Sequence, residues 1–276
     1  ISAYPTLLVL DTEGDLIHRL VGYQPMKSLR EAIQRGLDGI NVYDMRESYS
    51  QHKNERTFIK NYLWALRNAN MMEEYKKVAR SYTSQFSMDS LLTMDFWEMI
   101  NPIVVNDPYC KEYPFILEHL GNLQMLGVER YALEEELNFY MMITINKFYT
   151  TLLSGHLEDI QNVFKDRVVY LQSLLKLPVK GFSVRQIELA AIECMFDNDV
   201  DKLYERLHVF MDCDMLGENY FYREVFVYLL KNLRDKNKVE ECIDYIQNRS
   251  NWQEFQVKEL VALGHKCLEQ LSKEEK

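Results

Sequence analysis

Two short apolar runs open the chain, Thr6-Leu-Leu-Val-Leu10 and Leu16-Ile-His-Arg-Leu-Val21, with Asp11-Thr-Glu-Gly-Asp15 between them. Runs of this length bounded by turn residues predict strands, and Gly14 supplies the positive φ of a tight loop, so the pair predicts a β-hairpin. The first run is apolar at nearly every position, which predicts a strand covered on both faces. The second carries His18 among apolar neighbours, expected as an ordinary strand side chain and not as a ligand, and Gly22 ends it. After Pro25 the period changes: Leu29, Ala32, Ile33 and Leu37 fall on one face of a helix over 26–37.

From Val42 onward no strand pattern returns. Amphipathic stretches, such as Arg223 to Leu233 and Lys238 to Asn248, alternate with polar turns at Asn68-Ala-Asn70, Asn106-Asp-Pro108, Ser154-Gly-His156, Asp197-Asn-Asp199 and Asp235-Lys-Asn237. The turns recur every 36 to 49 residues, the period of helix pairs that bury one face against the next pair. Identity between the units is weak. The expected fold is therefore mainly α: an irregular, tetratricopeptide-like helix-pair array over 55–276, a connecting segment over 39–54 that is partly helical, and a hairpin-plus-helix unit over 1–38.

With 276 residues, 47% of them hydrophobic, the chain can bury a core without disulfide or metal staples. Its net charge of −10 excludes a general polyanion binder, so no nucleic-acid partner is expected. The pair Lys76-Lys77 stands beside Glu73-Glu74 and reads as a solvated, self-paired helix face. The richest apolar stretch, Phe139 to Leu153, is interrupted by Asn146 and Lys147, short of the ~20 residues a membrane span requires. The start at Ile1, without an initiator Met or a leader, reads as a processed or truncated product.

Candidate chemistry is sparse. Cys110, Cys194, Cys213, Cys242 and Cys267 show no CxxC and no zinc spacing; four of them sit among apolar helical residues, where a free thiol behaves as a small buried hydrophobe. One disulfide or one reactive surface thiol are the alternatives. The histidines His18, His52, His119, His156, His208 and His265 are isolated, and no phosphate-cradling or nucleophile-elbow motif is present. No metal or cofactor is expected. Glu134-Glu-Glu136 reads as the acidic first turn of a long helix, complementing its dipole. Aromatic clusters at Tyr109 to Phe115, Asn219-Tyr-Phe-Tyr222 and Phe226 to Tyr228 read as inter-helix core, with a concave peptide-binding groove as the sharper alternative.

The run Ser2-Ala3-Tyr4-Pro5-Thr6, the apolar strand, the Asp-Thr-Glu-Gly-Asp turn, Val21-Gly22-Tyr23 and the helix after them resemble the C-terminal half of the thioredoxin fold over about 38 residues. The resemblance implies that Pro5 is the family's cis-proline and Tyr4 the position that offers its backbone to a substrate chain. The family's CxxC and first strands would then lie before Ile1. Met45 to Leu66, Leu91-Leu-Thr-Met-Asp-Phe-Trp-Glu-Met-Ile100, Val105-Asn-Asp-Pro-Tyr109 and Tyr113 to His119 resemble the helical extension that follows the thioredoxin domain in exported proteins of Bacteroidetes. This second resemblance covers 42–140 and implies a periplasmic or cell-envelope location.

Two functions follow as expectations. One is a fragment of a thiol-disulfide oxidoreductase that lacks its CxxC, is redox-inactive by itself and keeps a helical client- or partner-binding region, with no catalytic residue here and Tyr4 and Pro5 shaping the docking loop. The other is a non-enzymatic helical-repeat scaffold that binds a protein partner and retains the thioredoxin-like remnant as structure. Either way the apolar strand Thr6–Leu10 is expected to be covered, by the helical region or by a second copy in a homodimer.

Overall fold

The computed structural model describes residues 5–153, 157–212, 220–248 and 252–274. Tyr4, the turn at 154–156, Cys213 and Asn219 lie outside the described residues.

Two strands, β1 (Thr6–Leu10) and β2 (Leu16–Val21), pair antiparallel with Thr6 opposite Val21 and Val9 opposite His18, and the register shifts between Val9 and Leu10. The turn is closed by Asp11, whose Oδ1 accepts the N–H groups of Glu13 at 2.9 Å and Asp15 at 2.8 Å, while Gly14 takes φ +92°. A hairpin of this size is marginal alone and must bury a face elsewhere. β2 does so by alternation, His18 and Leu20 turning inward against α1 (Met26–Leu37), α2 (Val42–His52) and α3 (Arg56–Asn68). The expectation that β1 is covered on both faces is not met: Leu7, Leu8 and Leu10 are 41%, 57% and 52% exposed, and no strand flanks β1 on its far side among the described residues. Its apolar run reflects what the strand could bury, and the helices pack chiefly on β2.

The inward face of α1 is also shifted from the predicted one. Ala32 and Gly36 are buried and Leu29 and Ile33 half-buried, but Leu37 is 52% exposed. The reason is His18. Its ring fills the place a side chain at position 36 would occupy, an ideal Cβ there lying 2.7 Å from both Cγ and Cδ2 of the imidazole. On another side the ring stacks on Trp64 of α3, centroids 6.2 Å apart. His18 is fully buried, and neither ring nitrogen has a hydrogen-bond partner among the described residues. Asn41 then caps α2, its Oδ1 accepting the N–H groups of Tyr43 and Asp44 at 3.0 Å each while its Nδ2 donates to the Gly36 carbonyl at 3.2 Å.

The rest of the described chain is helical: α4 (Met72–Thr83), a 3-10 turn (Met88–Leu92), α5 (Met94–Val104), α6 (Tyr113–Glu118), α7 (Leu120–Met125), α8 (Arg130–Leu153), α9 (Leu157–Leu175), α10 (Phe182–Phe196), α11 (Val200–Asp212), α12 (Tyr220–Asn232), α13 (Lys236–Asn248) and α14 (Glu254–Glu274). They form two compact units, Ile1–Arg130 and Tyr131–Lys276. In the first, α2 packs on α3, α3 on α4 and α4 on α5; in the second, α9 to α12 pack successively, and α12 and α13 both pack on α14. No described helix is long and apolar enough to cross a membrane.

Several turns fall where polar residues mark them, with Asn70 and Asn198 in the left-handed region at φ 55° and 54°. Asp235 caps α13, so that helix starts at Lys236 and not at Lys238. The break between 54 and 55 falls between α2 and α3, but the polar-turn pattern marks no turn after Leu126 or Lys176, and helix lengths run from 6 to 24 residues, so the spacing of the polar turns is not the spacing of the helices. Glu134 to Glu136 prove to lie in the second turn of α8, because that helix begins at Arg130 immediately after the Gly127 turn. The dipole therefore explains them poorly, and Glu134 is buried.

Two measurements test the packing around His18. Ala at position 36 gains about 1 kcal/mol of helix propensity but drives a methyl into the imidazole, an overpacking that costs about 1–3 kcal/mol, so Gly36→Ala is expected to lower the thermal midpoint. Burial also lowers the His18 pKa from 6.5. The unfolded chain then binds the proton more readily, so this contribution is complete above 6.5 and lost as pH falls below it toward the folded-state value. Melts at about pH 7.5 and about pH 5.5 should show a drop that His18→Phe reduces.

Candidate functional site

Pro5 stands exposed at the base of the hairpin, and its carbonyl accepts the Gly22 N–H at 2.8 Å. That bond extends the ladder one residue beyond Thr6–Val21 and fixes where the chain enters β1. Tyr4, its expected companion in the docking loop, is outside the described residues, so the structure positions one of the two. Beside Pro5 the strand presents Leu8 and Leu10, and Tyr23, which follows β2, is 85% exposed. A strand with exposed apolar side chains and no strand beyond it among the described residues is a surface on which an extended polypeptide could add. The sequence pattern contained the apolar run but assigned it to the interior.

Three other groups of titratable residues resolve into structure. Asp11, Glu13 and Asp15 bring carboxylate oxygens within 4.8 Å of one another, but all three are exposed, and one Asp11 oxygen already serves two backbone N–H groups of the turn. The thiols of Cys110, Cys194, Cys242 and Cys267 are free and buried. Burial pushes all four up, Cys110 and Cys242 to about 12, so none offers the thiolate that nucleophilic or redox chemistry needs near neutrality. In α10, Arg185 Nη1 donates to Glu188 Oε2 at 2.5 Å, and Glu188 is sealed from solvent. The Tyr222 phenol nearby is pushed up, first by burial and then by the Glu188 charge. The hydropathy pattern does not mark this pair, although an Arg and a Glu three apart in a helix are spaced to meet.

No family model, no curated protein and no solved structure matches the chain.

Breaking the α10 pair by Glu188→Leu leaves Arg185 buried without its carboxylate and is expected to cost about 3–5 kcal/mol in urea unfolding, whereas Arg185→Met with Glu188→Leu recovers most of it. In a Cys213→Ser chain, the four buried thiols should react with an aromatic disulfide reagent only as fast as the protein opens; rapid reaction of any of them under native conditions contradicts their burial.

Proposed function

We propose that the chain is a protein-binding module without thiol-disulfide chemistry of its own. Its hairpin and α1 are the closing part of a thioredoxin-like fold, and its helices form an irregular helix-pair array that extends the binding surface. The observation that carries this reading is β1: an apolar strand paired with β2, with Leu7, Leu8 and Leu10 exposed and no strand on its far side among the described residues. The proposed occupant is an extended apolar segment of a client protein, which would add to that edge as a strand. A second copy of the chain is the competing occupant.

The absence of redox activity is supported by two features. The sequence holds no CxxC, and the four described thiols are buried and poorly ionised. The thioredoxin-like reading is supported by the order hairpin, glycine, helix with Pro5 leading into the first strand. Contacts between alternate helices, α10 with α12 and α12 with α14, suit the helix-pair reading. The proposed location in the periplasm or cell envelope rests on the resemblance of 42–140 to exported proteins.

One assay separates the parts of the proposal. Dithiothreitol reduces insulin, and the released B chain aggregates; free thiols report reduction and light scattering reports aggregation. The chain is expected to leave the reduction rate unchanged and to suppress scattering, and Leu8→Lys with Leu10→Lys is expected to abolish the suppression. Faster reduction sinks the redox-inactive reading. Unchanged scattering with the parent chain, or suppression that survives the double substitution, sinks docking at β1. Sedimentation equilibrium over a range of concentrations assigns the edge to a second copy if the parent chain dimerises and the double variant does not.

A further inference from the structure

A cavity of about 430 Å³ opens among α1, α3, α4 and α5, within the first compact unit. Sites for small ligands run from roughly 300 to 1,000 Å³, so it is large enough to hold one. Its walls follow from helix geometry. Lys60, Trp64 and Arg67 recur at the four- and three-residue spacing that puts them on one face of α3, and Arg35 reaches in from α1. Leu63 and Met99, both nearly inaccessible, make its apolar floor.

The Arg35 side chain is already held in place. Its Cζ lies 4.0 Å from the Trp64 ring centroid, and Nη2 donates to Asn61 Oδ1 at 2.9 Å. Trp64 in turn is fixed by the stacked, buried His18. A cation ordered in this way loses little freedom when a ligand arrives. Lys60 differs, because Asp95 Oδ1 at 2.7 Å and Glu98 Oε2 at 3.5 Å satisfy its charge. Tyr75 is also spent: its hydroxyl donates to the Met99 carbonyl at 2.8 Å. Arg67 is exposed at the mouth, close enough for its charge to act on the Tyr75 phenol. Among the described residues no carboxylate pairs with Arg35 or Arg67, although acidic residues outnumber basic ones 42 to 32 along the chain. Two guanidiniums line one hollow, and the carboxylate that lines it with them, Glu98, is engaged with Lys60 at 3.5 Å, which leaves an unfilled demand for an oxyanion.

We propose that this cavity binds a small organic anion, its carboxylate or phosphate group held between Arg35 and Arg67 and its apolar part resting on Leu63 and Met99. Guanidiniums match the planar, paired oxygens of such groups better than ammonium does. Glu98 at the rim and the negative charge of the whole chain oppose an extended polyanion, so the ligand is small and carries little charge beyond the group recognised. This site is separate in its residues from the β1 edge, and its test does not depend on client binding.

Isothermal titration of the full chain with phenyl phosphate and, separately, benzoate at constant ionic strength tests the proposal. At least one probe is expected to bind with one-to-one stoichiometry in the millimolar range or tighter. Arg67→Ala, a change at an exposed position, and Arg35→Gln should each weaken it about tenfold, the scale of one lost charge-assisted hydrogen bond. Lys111→Ala, at an exposed lysine that does not line this cavity, should leave it unchanged. Binding of phenyl phosphate alone or benzoate alone identifies the oxyanion. The proposal is overturned if neither probe binds, if binding survives Arg67→Ala combined with Arg35→Gln in a chain whose circular dichroism is unchanged, or if Lys111→Ala weakens it equally.

Discussion

A two-stranded hairpin is marginal by itself in water, and in this protein it is anchored to the helices by the inward side chains of β2. His18 projects from β2 into the angle between α1 and α3, fills the space left open at Gly36 and lies against Trp64. Leu20 follows it inward two residues later, on the same face of the strand. Because the imidazole makes no hydrogen bond among the described residues, it acts as an aromatic wedge, and the burial that makes it useful also keeps it neutral. The same contact stiffens the indole on which Arg35 rests, so hairpin packing and the geometry of the cationic hollow share a residue.

Local chemistry made the first 37 residues readable. The strands Thr6–Leu10 and Leu16–Val21 and the helix Met26–Leu37 fall on their predicted bounds, because Gly14, Gly22 and Pro25 punctuate them and each run keeps one period. What could not be read was which strand the helices would cover. An apolar run states a capacity for burial; the partner that realises it is a tertiary fact. The same limit applies to α1, where a glycine carries no hydropathy signal yet occupies the most crowded inward position, displacing Leu37 to the surface.

Further along, polar turns centred on asparagine and aspartate are legible, whereas the turns after Leu126 and Lys176, with no such residue at their centre, are not. The consequence reached the reading of function. Moving the start of α8 to Arg130 took Glu134 to Glu136 out of the first turn and removed the dipole as their explanation. The cationic hollow was legible in part: Lys60, Trp64 and Arg67 share a helical face by spacing alone. Arg35 joins them only because the hairpin sets α1 beside α3, an arrangement no local pattern contains. Tyr4 remains a residue of the resemblance, while Pro5 has a place at the base of the hairpin.

Gly36 has a consequence for the order in which the first unit assembles. A helix of 12 residues with glycine one position from its end is weak in isolation, since short helices are marginal and glycine costs about 1 kcal/mol against alanine. The hairpin is weak for its own reason. Neither has an independent route to stability, and each supplies the surface the other lacks. They are therefore expected to form together as one cooperative unit on the scaffold of α3, and any event that lifts β2 away would release α1 with it.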